Sequence, residues 1–168
     1  QKTAYEISLG LVGSEMCIRD SNGKNEMSQT NVEMIPTPEE AVSEADHVVI
    51  GLPLTEKTHH IVNDRLMKLM KPGAHLVNIA RGDIVDQEAL FENLESGQIS
   101  RASLDVVTPE PLPEGHWLYT HPRVKLSAHI SWASPDFLDQ LHDLFSSNLK
   151  KWLSGLPLDG LVDIKKGY

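Results

Sequence analysis

The chain has 168 residues, 40% hydrophobic and 23% charged, the balance of one globular unit. Its formal net charge of −9 argues against a nucleic-acid partner, which requires a basic face. A single cysteine, Cys17, excludes an internal disulfide. No apolar run approaches the roughly 20 residues of a membrane helix, and no secretory pattern is present, so no membrane partner and a cytoplasmic location are expected.

Residues 4–21 (AYEISLGLVGSEMCIRDS) do not read like the rest. Gly10-Leu11-Val12-Gly13 lacks the third glycine of a dinucleotide-binding loop, and Glu15 would stand where phosphates sit. The string resembles a translated sequencing adapter, so residues 1–21 are expected to be a non-native leader. The polar stretch Asn22 to Glu33 reads as a loop. Thr37-Pro38-Glu39-Glu40 signals a helix start that should run to about Ala45, with Thr37 as cap and proline in the first turn. His47 to Leu52 is short and apolar, as a buried parallel strand would be. Asn63 to Met70 predicts a helix, stopped by Lys71-Pro72-Gly73. A strand over Ala74 to Ile79 follows, then a helix over Asp86 to Ser96 with Gly97 just past its end. Ile99 to Val106 and Arg123 to Ala128 read as strands. The last element is a long helix from Ser134 to Leu153, with Ser134 as cap and Pro135 in first position. Phe137, Leu141, Leu144, Phe145, Leu149 and Trp152 form its apolar stripe.

Strands alternating with helices imply an α/β fold with a parallel sheet, and ligands of such sheets sit at the carboxyl ends of the strands. Arg81, Asp105 and His129 each closely follow a predicted strand. Three chemically capable residues at one sheet edge mark a site. An arginine can hold a carboxylate in a fork of donors. A histidine beside a carboxylate can move protons near neutral pH. Glu110 lies in Thr108-Pro109-Glu110-Pro111, where two prolines stiffen the loop that presents it. Gly82 would let backbone approach a ligand closely. Asp105, if buried, needs a partner. His59 and His60 are adjacent, and on an extended segment they would point to opposite sides with no third ligand spaced with them. They read as exposed loop residues, and no metal is expected.

The motifs Asn78-Ile79-Ala80-Arg81-Gly82, Leu104-Asp105-Val106 leading to Pro109-Glu110-Pro111, and His129-Ile130-Ser131 agree in identity, order and rough spacing with a known family. Pro53-Leu54-Thr55, Lys71-Pro72-Gly73-Ala74 and the closing Val162-Asp163 with Lys166-Gly167-Tyr168 agree as well. From about Asn22 onward the chain resembles the D-isomer-specific 2-hydroxyacid dehydrogenases. The resemblance implies a partial Rossmann-like parallel sheet with flanking helices, the C-terminal half of a nucleotide-binding domain. Residues 22–133 would belong to that domain, and residues 134–168 would be a long helix and tail returning toward a substrate domain.

The resemblance also implies roles. Arg81 would grip the substrate carboxylate, His129 would shuttle a proton to the keto oxygen, and Glu110 would orient His129. A related branch, formate dehydrogenase, carries glutamine at the Glu110 position, so the glutamate points to proton chemistry and away from formate. Asp105 would hold the nicotinamide carboxamide. Leu52, Pro53 and Ile79 would pack against the cofactor beside Arg81 and His129, with core packing the competing role for those three. Ala128 and Trp132 depart from the family pattern, which usually has proline and a small residue there. Trp132 would narrow the pocket or contact nicotinamide or substrate. The implied activity is hydride transfer between NAD or NADP and a small 2-keto or D-2-hydroxy acid such as glyoxylate or hydroxypyruvate, in a homodimeric parent protein. Alternatives are an NAD-sensing co-regulator of the same fold and an inactive fragment. The isolated chain is expected to bind cofactor weakly or not at all. Arg19 and Asp20 fall within the leader and so carry no information on NAD versus NADP.

Overall fold

A computed structural model describes residues 16–18 and 32–162. Two short strands, β1 (Met16–Ile18) and β2 (Val32–Met34), pair in parallel with Met16 opposite Val32. One expectation changes here. Val32 and Glu33, read as the end of a loop, open β2, and the strand it pairs with, Met16–Ile18, lies within the expected leader. The pairing joins segments far apart in the chain, so local composition did not reveal it. The remainder of residues 1–21, and residues 22–31 of the expected loop, lie outside the described residues.

The main sheet has four parallel strands in the order β3 (His47–Ile50), β4 (Ala74–Asn78), β5 (Ile99–Leu104), β6 (Val124–Leu126). The fold is α/β and Rossmann-like, as read from the sequence. Helix α1 (Pro38–Ser43) precedes β3, α2 (Asp64–Leu69) links β3 to β4, and α3 (Gln87–Ser96) links β4 to β5. Right-handed crossovers between strands added in one direction put the helices on one face of the sheet. The burial pattern agrees with that. Ala74, Leu76, Ile99, Ala102 and Leu104 are buried with Met67, Leu90 and Leu94 of the helices. His75, Val77 and Ser103, on the opposite face, are only half-buried. Strand β3 differs from expectation. Among the described residues it is an edge strand in which only Ile50 is buried, and Val49 is 61% exposed.

The helix ends follow local chemistry. The Thr37 hydroxyl accepts the Glu40 N–H at 3.2 Å, and the Asn63 amide oxygen accepts the Leu66 N–H at 3.1 Å. Asp86 accepts the N–H groups of Glu88 and Ala89, and Gly97 closes α3 at φ +81°. Each cap satisfies a backbone donor or acceptor that the helix leaves open. Helix α4 (Phe137–Leu153) begins later than read. The Phe137 N–H bonds the Ser134 carbonyl at 3.1 Å, so Ser134 and Pro135 belong to a turn ahead of it, and Asp136 supplies no side-chain cap. No residue of α4 is buried, and Leu141, Leu144, Phe145, Leu149 and Trp152 of its stripe are exposed among the described residues. No helix among the described residues is long and apolar enough to cross a membrane.

Candidate active site

Strand β4 ends in Asn78, whose side chain is buried. Its amide donates to the Arg81 carbonyl at 2.8 Å and accepts the Ala80 N–H at 3.0 Å. One side chain thus staples the turn that carries Arg81. The guanidinium is exposed, donates to the Ala80 carbonyl at 2.6 Å, and forms no ion pair with Asp83 or Asp86. Its remaining donors are available to an incoming carboxylate. Gly82 is buried, and its close approach is to protein. A Cβ there would collide with the Val107 carbonyl and the Thr108 hydroxyl. The glycine therefore locks the Arg81 turn against the segment leading to Glu110, which corrects the expectation that it makes room for a ligand.

Gln87, the first residue of α3, holds that segment from behind. Its amide donates to the Thr108 carbonyl and accepts the Thr108 N–H at 3.0 Å. Two residues on, the Glu110 carboxylate meets His129 Nδ1, at 3.1 Å to Oε1 and 3.2 Å to Oε2. An ionised carboxylate only accepts, so against it Nδ1 would carry the shared hydrogen, with Nε2 outside this contact. His129 has φ +54°, in the left-handed region that histidine enters more readily than most residues. Both side chains of the pair are partly open to solvent.

Asp105 fixes the backbone just beyond that histidine. It is 5% exposed and accepts three hydrogen bonds: Ser127 Oγ at 2.5 Å, the Ile130 N–H at 3.0 Å and the Ser131 N–H at 2.8 Å. Burial acts to raise its pKa, but the donors of Ser127, Ser131 and Ile130 outweigh it and hold the carboxyl well below the usual carboxylate range. A carboxylate has about four lone-pair sites. Three are used within the protein, so the carboxamide contact implied by the resemblance is limited to the remaining one.

A cleft of about 320 Å³ opens at this edge, on the face not covered by helices. Ile79 and Asp105 line it together with Val77, Lys125, Ser127 and Ser131. Ile79 is 41% exposed, an apolar surface suited to the flat face of a nicotinamide ring. The arrangement fits such a cofactor: an apolar wall, with Asp105, Ser127 and Lys125 as polar groups beside it. Leu52 is half-buried and packs on the core, while Pro53 is half-buried and its carbonyl accepts the Thr58 hydroxyl at 2.7 Å. Neither lines this cleft. Trp132 is 58% exposed, but its indole N–H donates to the His129 carbonyl at 2.8 Å, and its ring meets Phe137 edge-on at 4.9 Å. It supports the histidine loop and does not line the cleft.

Gln87, Ser127 and Lys125 were not singled out from the sequence. Only a predicted strand end (for Ser127 and Lys125) or a helix start (for Gln87) pointed toward them. His59 and His60 are exposed loop residues, as read, but they do not point to opposite sides. His60 has φ +49°, so the segment is a turn, and the two rings stack with centroids 4.0 Å apart. Alternation of adjacent side chains holds only for extended backbone.

Residues 7–131 match the family described as D-isomer specific 2-hydroxyacid dehydrogenase, NAD binding domain. The chain belongs to that family. Similar proteins include a glyoxylate reductase of Thermofilum pendens, 40% identical over 122 residues, which are 73% of this chain and 36% of that protein. The glyoxylate reductase/hydroxypyruvate reductase of Homo sapiens is 36% identical over 133 residues, 79% of this chain and 40% of that protein. The chain thus spans well under half the length of these relatives. Among solved structures, a D-isomer specific 2-hydroxyacid dehydrogenase from Xanthobacter autotrophicus Py2, in complex with NADPH and MES, superposes with a TM-score of 0.79 at 28% identity. The match covers 90% of this chain and 61% of that one. An NADPH-dependent glyoxylate/hydroxypyruvate reductase from Sinorhizobium meliloti, in complex with NADP and sulfate, also gives 0.79 at 28% identity, covering 90% and 48%.

Proposed function

We propose that this dehydrogenase domain serves hydride transfer between NAD or NADP and a small 2-keto acid, glyoxylate or hydroxypyruvate being the leading substrates. The observation that carries the reading is the His129 to Glu110 pair, at the same edge of the sheet as Arg81, which forms no ion pair among the described residues. A nicotinamide held against Ile79 and Asp105 would supply the hydride that the keto carbon takes up in reduction. Arg81 forks onto the substrate carboxylate and fixes the orientation of the carbonyl. His129 delivers a proton from Nε2 to the carbonyl oxygen as that oxygen gains charge. Glu110 accepts from Nδ1, keeps the tautomer correct and stabilises the imidazolium before it gives up its proton. In oxidation Nε2 accepts the proton instead. Asp105 keeps Ile130 and Ser131, and with them the His129 loop, in place. A homodimer and a cytoplasmic location belong to the same reading, carried by the family resemblance.

The test is turnover of a panel of 2-keto acids by the full-length protein with NADH and with NADPH, comparing the wild type with His129→Asn. The substitution should lower kcat by the roughly 10²- to 10⁴-fold typical of a lost general acid. Full activity of the variant would refute the role of His129. Cofactor binding without turnover of any acid would favour a co-regulator.

A further inference from the structure

The pair His59 and His60, set aside in the sequence, acquires a third member in the fold. The Asp83 carboxylate comes from the short 3-10 turn Gly82–Ile84, and its oxygen lies within 4.8 Å of a ring nitrogen of each histidine, as those nitrogens do of each other. We propose that His59, His60 and Asp83 form a surface site for one divalent transition metal ion of the zinc type. Nothing in the hydride-transfer chemistry uses these residues.

Three features support the assignment. The backbone is already set for it. The His60 N–H donates to the Asp83 carbonyl at 2.8 Å, and the Val62 N–H donates to the Ile84 carbonyl at 3.1 Å, which ties the two segments together side by side. His60 takes up φ +49°, and this bend is what puts two consecutive imidazoles on the same side. The donor set then selects the ion. Two imidazole nitrogens and one carboxylate suit zinc, cobalt, nickel or copper, whereas calcium and magnesium require a largely oxygen shell. The reach is adequate as well. Ligand atoms on a tetrahedral zinc stand about 3.3 Å apart, from bond lengths of about 2.0–2.1 Å. The separations are at most 4.8 Å, and the rings must turn out of their stacked arrangement to aim both nitrogens at one ion, which side chains that are exposed or half-buried can do. Water would complete the shell on the solvent side.

Its place in the fold gives the site a consequence. It joins the loop after β3 to the turn that follows Arg81 directly, so a bound ion cross-links two segments at the carboxyl edge of the sheet. The experiment is titration of the untagged full-length chain with Co²⁺, read by its visible absorption, and with Zn²⁺ by calorimetry, together with thermal unfolding. The expected result is one ion per chain and a higher Tm with zinc. His60→Asn retains a residue at ease with positive φ, and Asp83→Asn keeps side-chain volume. Each should weaken binding by at least the roughly 10- to 100-fold that loss of a supporting outer-sphere partner produces. His59→Gln provides a second removal of a ring without touching the bend. His75→Gln, in the separate His47–His75 pair, should leave affinity unchanged. No saturable binding, binding that survives the His60 and Asp83 substitutions, or binding lost with His75 would each overturn the proposal.

Discussion

Replacing Asp105 with asparagine removes one charge and one acceptor from the point where the His129 loop is anchored. The carboxylate takes Ser127 Oγ and the Ile130 N–H on Oδ1 and the Ser131 N–H on Oδ2. An asparagine can keep its oxygen toward the first two donors, but its NH₂ then faces the Ser131 N–H, donor against donor. An unsatisfied donor costs about 1–3 kcal/mol, and the exposure of Ser131 puts this one near the low end. The two retained bonds fall from charge-assisted to neutral strength, about 1 kcal/mol each. The sum is on the order of 3 kcal/mol, a large share of the roughly 5–15 kcal/mol that holds a domain together. The pH dependence supplies an independent check. Because the folded pKa of Asp105 is depressed, its contribution is full above the unfolded value of about 3.9 and is lost as pH falls toward the folded one. Between those values the unfolded chain binds the proton that the folded chain refuses, so the gap between wild type and Asp105→Asn should shrink by about 1 kcal/mol on going from pH 6 to pH 3. Urea denaturation of both proteins at several pH values measures this. A gap under about 0.5 kcal/mol at pH 7, or one that stays constant down to pH 3, would refute the account.

Gly82→Ala should cost at least 2 kcal/mol, about the effect of an overpacked core residue, and should raise KM for the keto acid by shifting the Arg81 turn. Unchanged thermal unfolding would show that the contact relaxes freely. Gln87→Ala loses both bonds to Thr108 and should destabilise by about 1–3 kcal/mol. It should also lower kcat more than it raises KM, since it loosens Glu110 and leaves Arg81 in place; an unaltered kcat would count against the support role. His75 has its pKa lowered by burial first, then by Arg101 and His47. The stability this contributes is present above the unfolded value of about 6.5 and falls as pH drops below it. His75→Gln should therefore flatten the stability profile on the acid side of pH 6.5, as chemical denaturation across that range would show.

What was legible in the sequence was local or was carried by whole motifs. Thr37, Asn63 and Asp86 cap helices by bonding backbone two or three residues ahead, and Gly97 closes one by its own φ. Such features depend on neighbours in the chain. The Glu110 to His129 contact spans 19 residues, and family motifs, not spacing, predicted it. What stayed hidden depends on distant partners. Strand β3 looks fully buried by composition, yet among the described residues it lies at a sheet edge, and edge position is a property of topology. Helix α4 shows a clean apolar stripe that remains uncovered among the described residues, because amphipathicity says which side seeks a partner and not whether one is present. The Asp83 partner of His59 and His60 lies more than 20 residues away, and the bend at His60 defeats the alternation from which opposite orientations were inferred.

The site divides its labour by burial. Arg81, Glu110 and His129 are exposed or partly so, while Asn78, Gly82 and Asp105, which set their positions, are buried. Under the proposed function the first group meets a charged substrate and exchanges protons, which needs access, whereas groups that fix geometry gain strength where water does not compete. Each supporting residue also ties one segment to another: Asn78 spans the Arg81 turn, Gly82 presses that turn onto Val107, and Asp105 reaches from the end of β5 to the residues after His129. Each loop of the edge is thereby referred to a strand end of one rigid sheet. Four parallel strands and a few buried polar groups can then hold three solvent-accessible side chains in register, although the one hydrogen-bonded pair among them is Glu110 to His129.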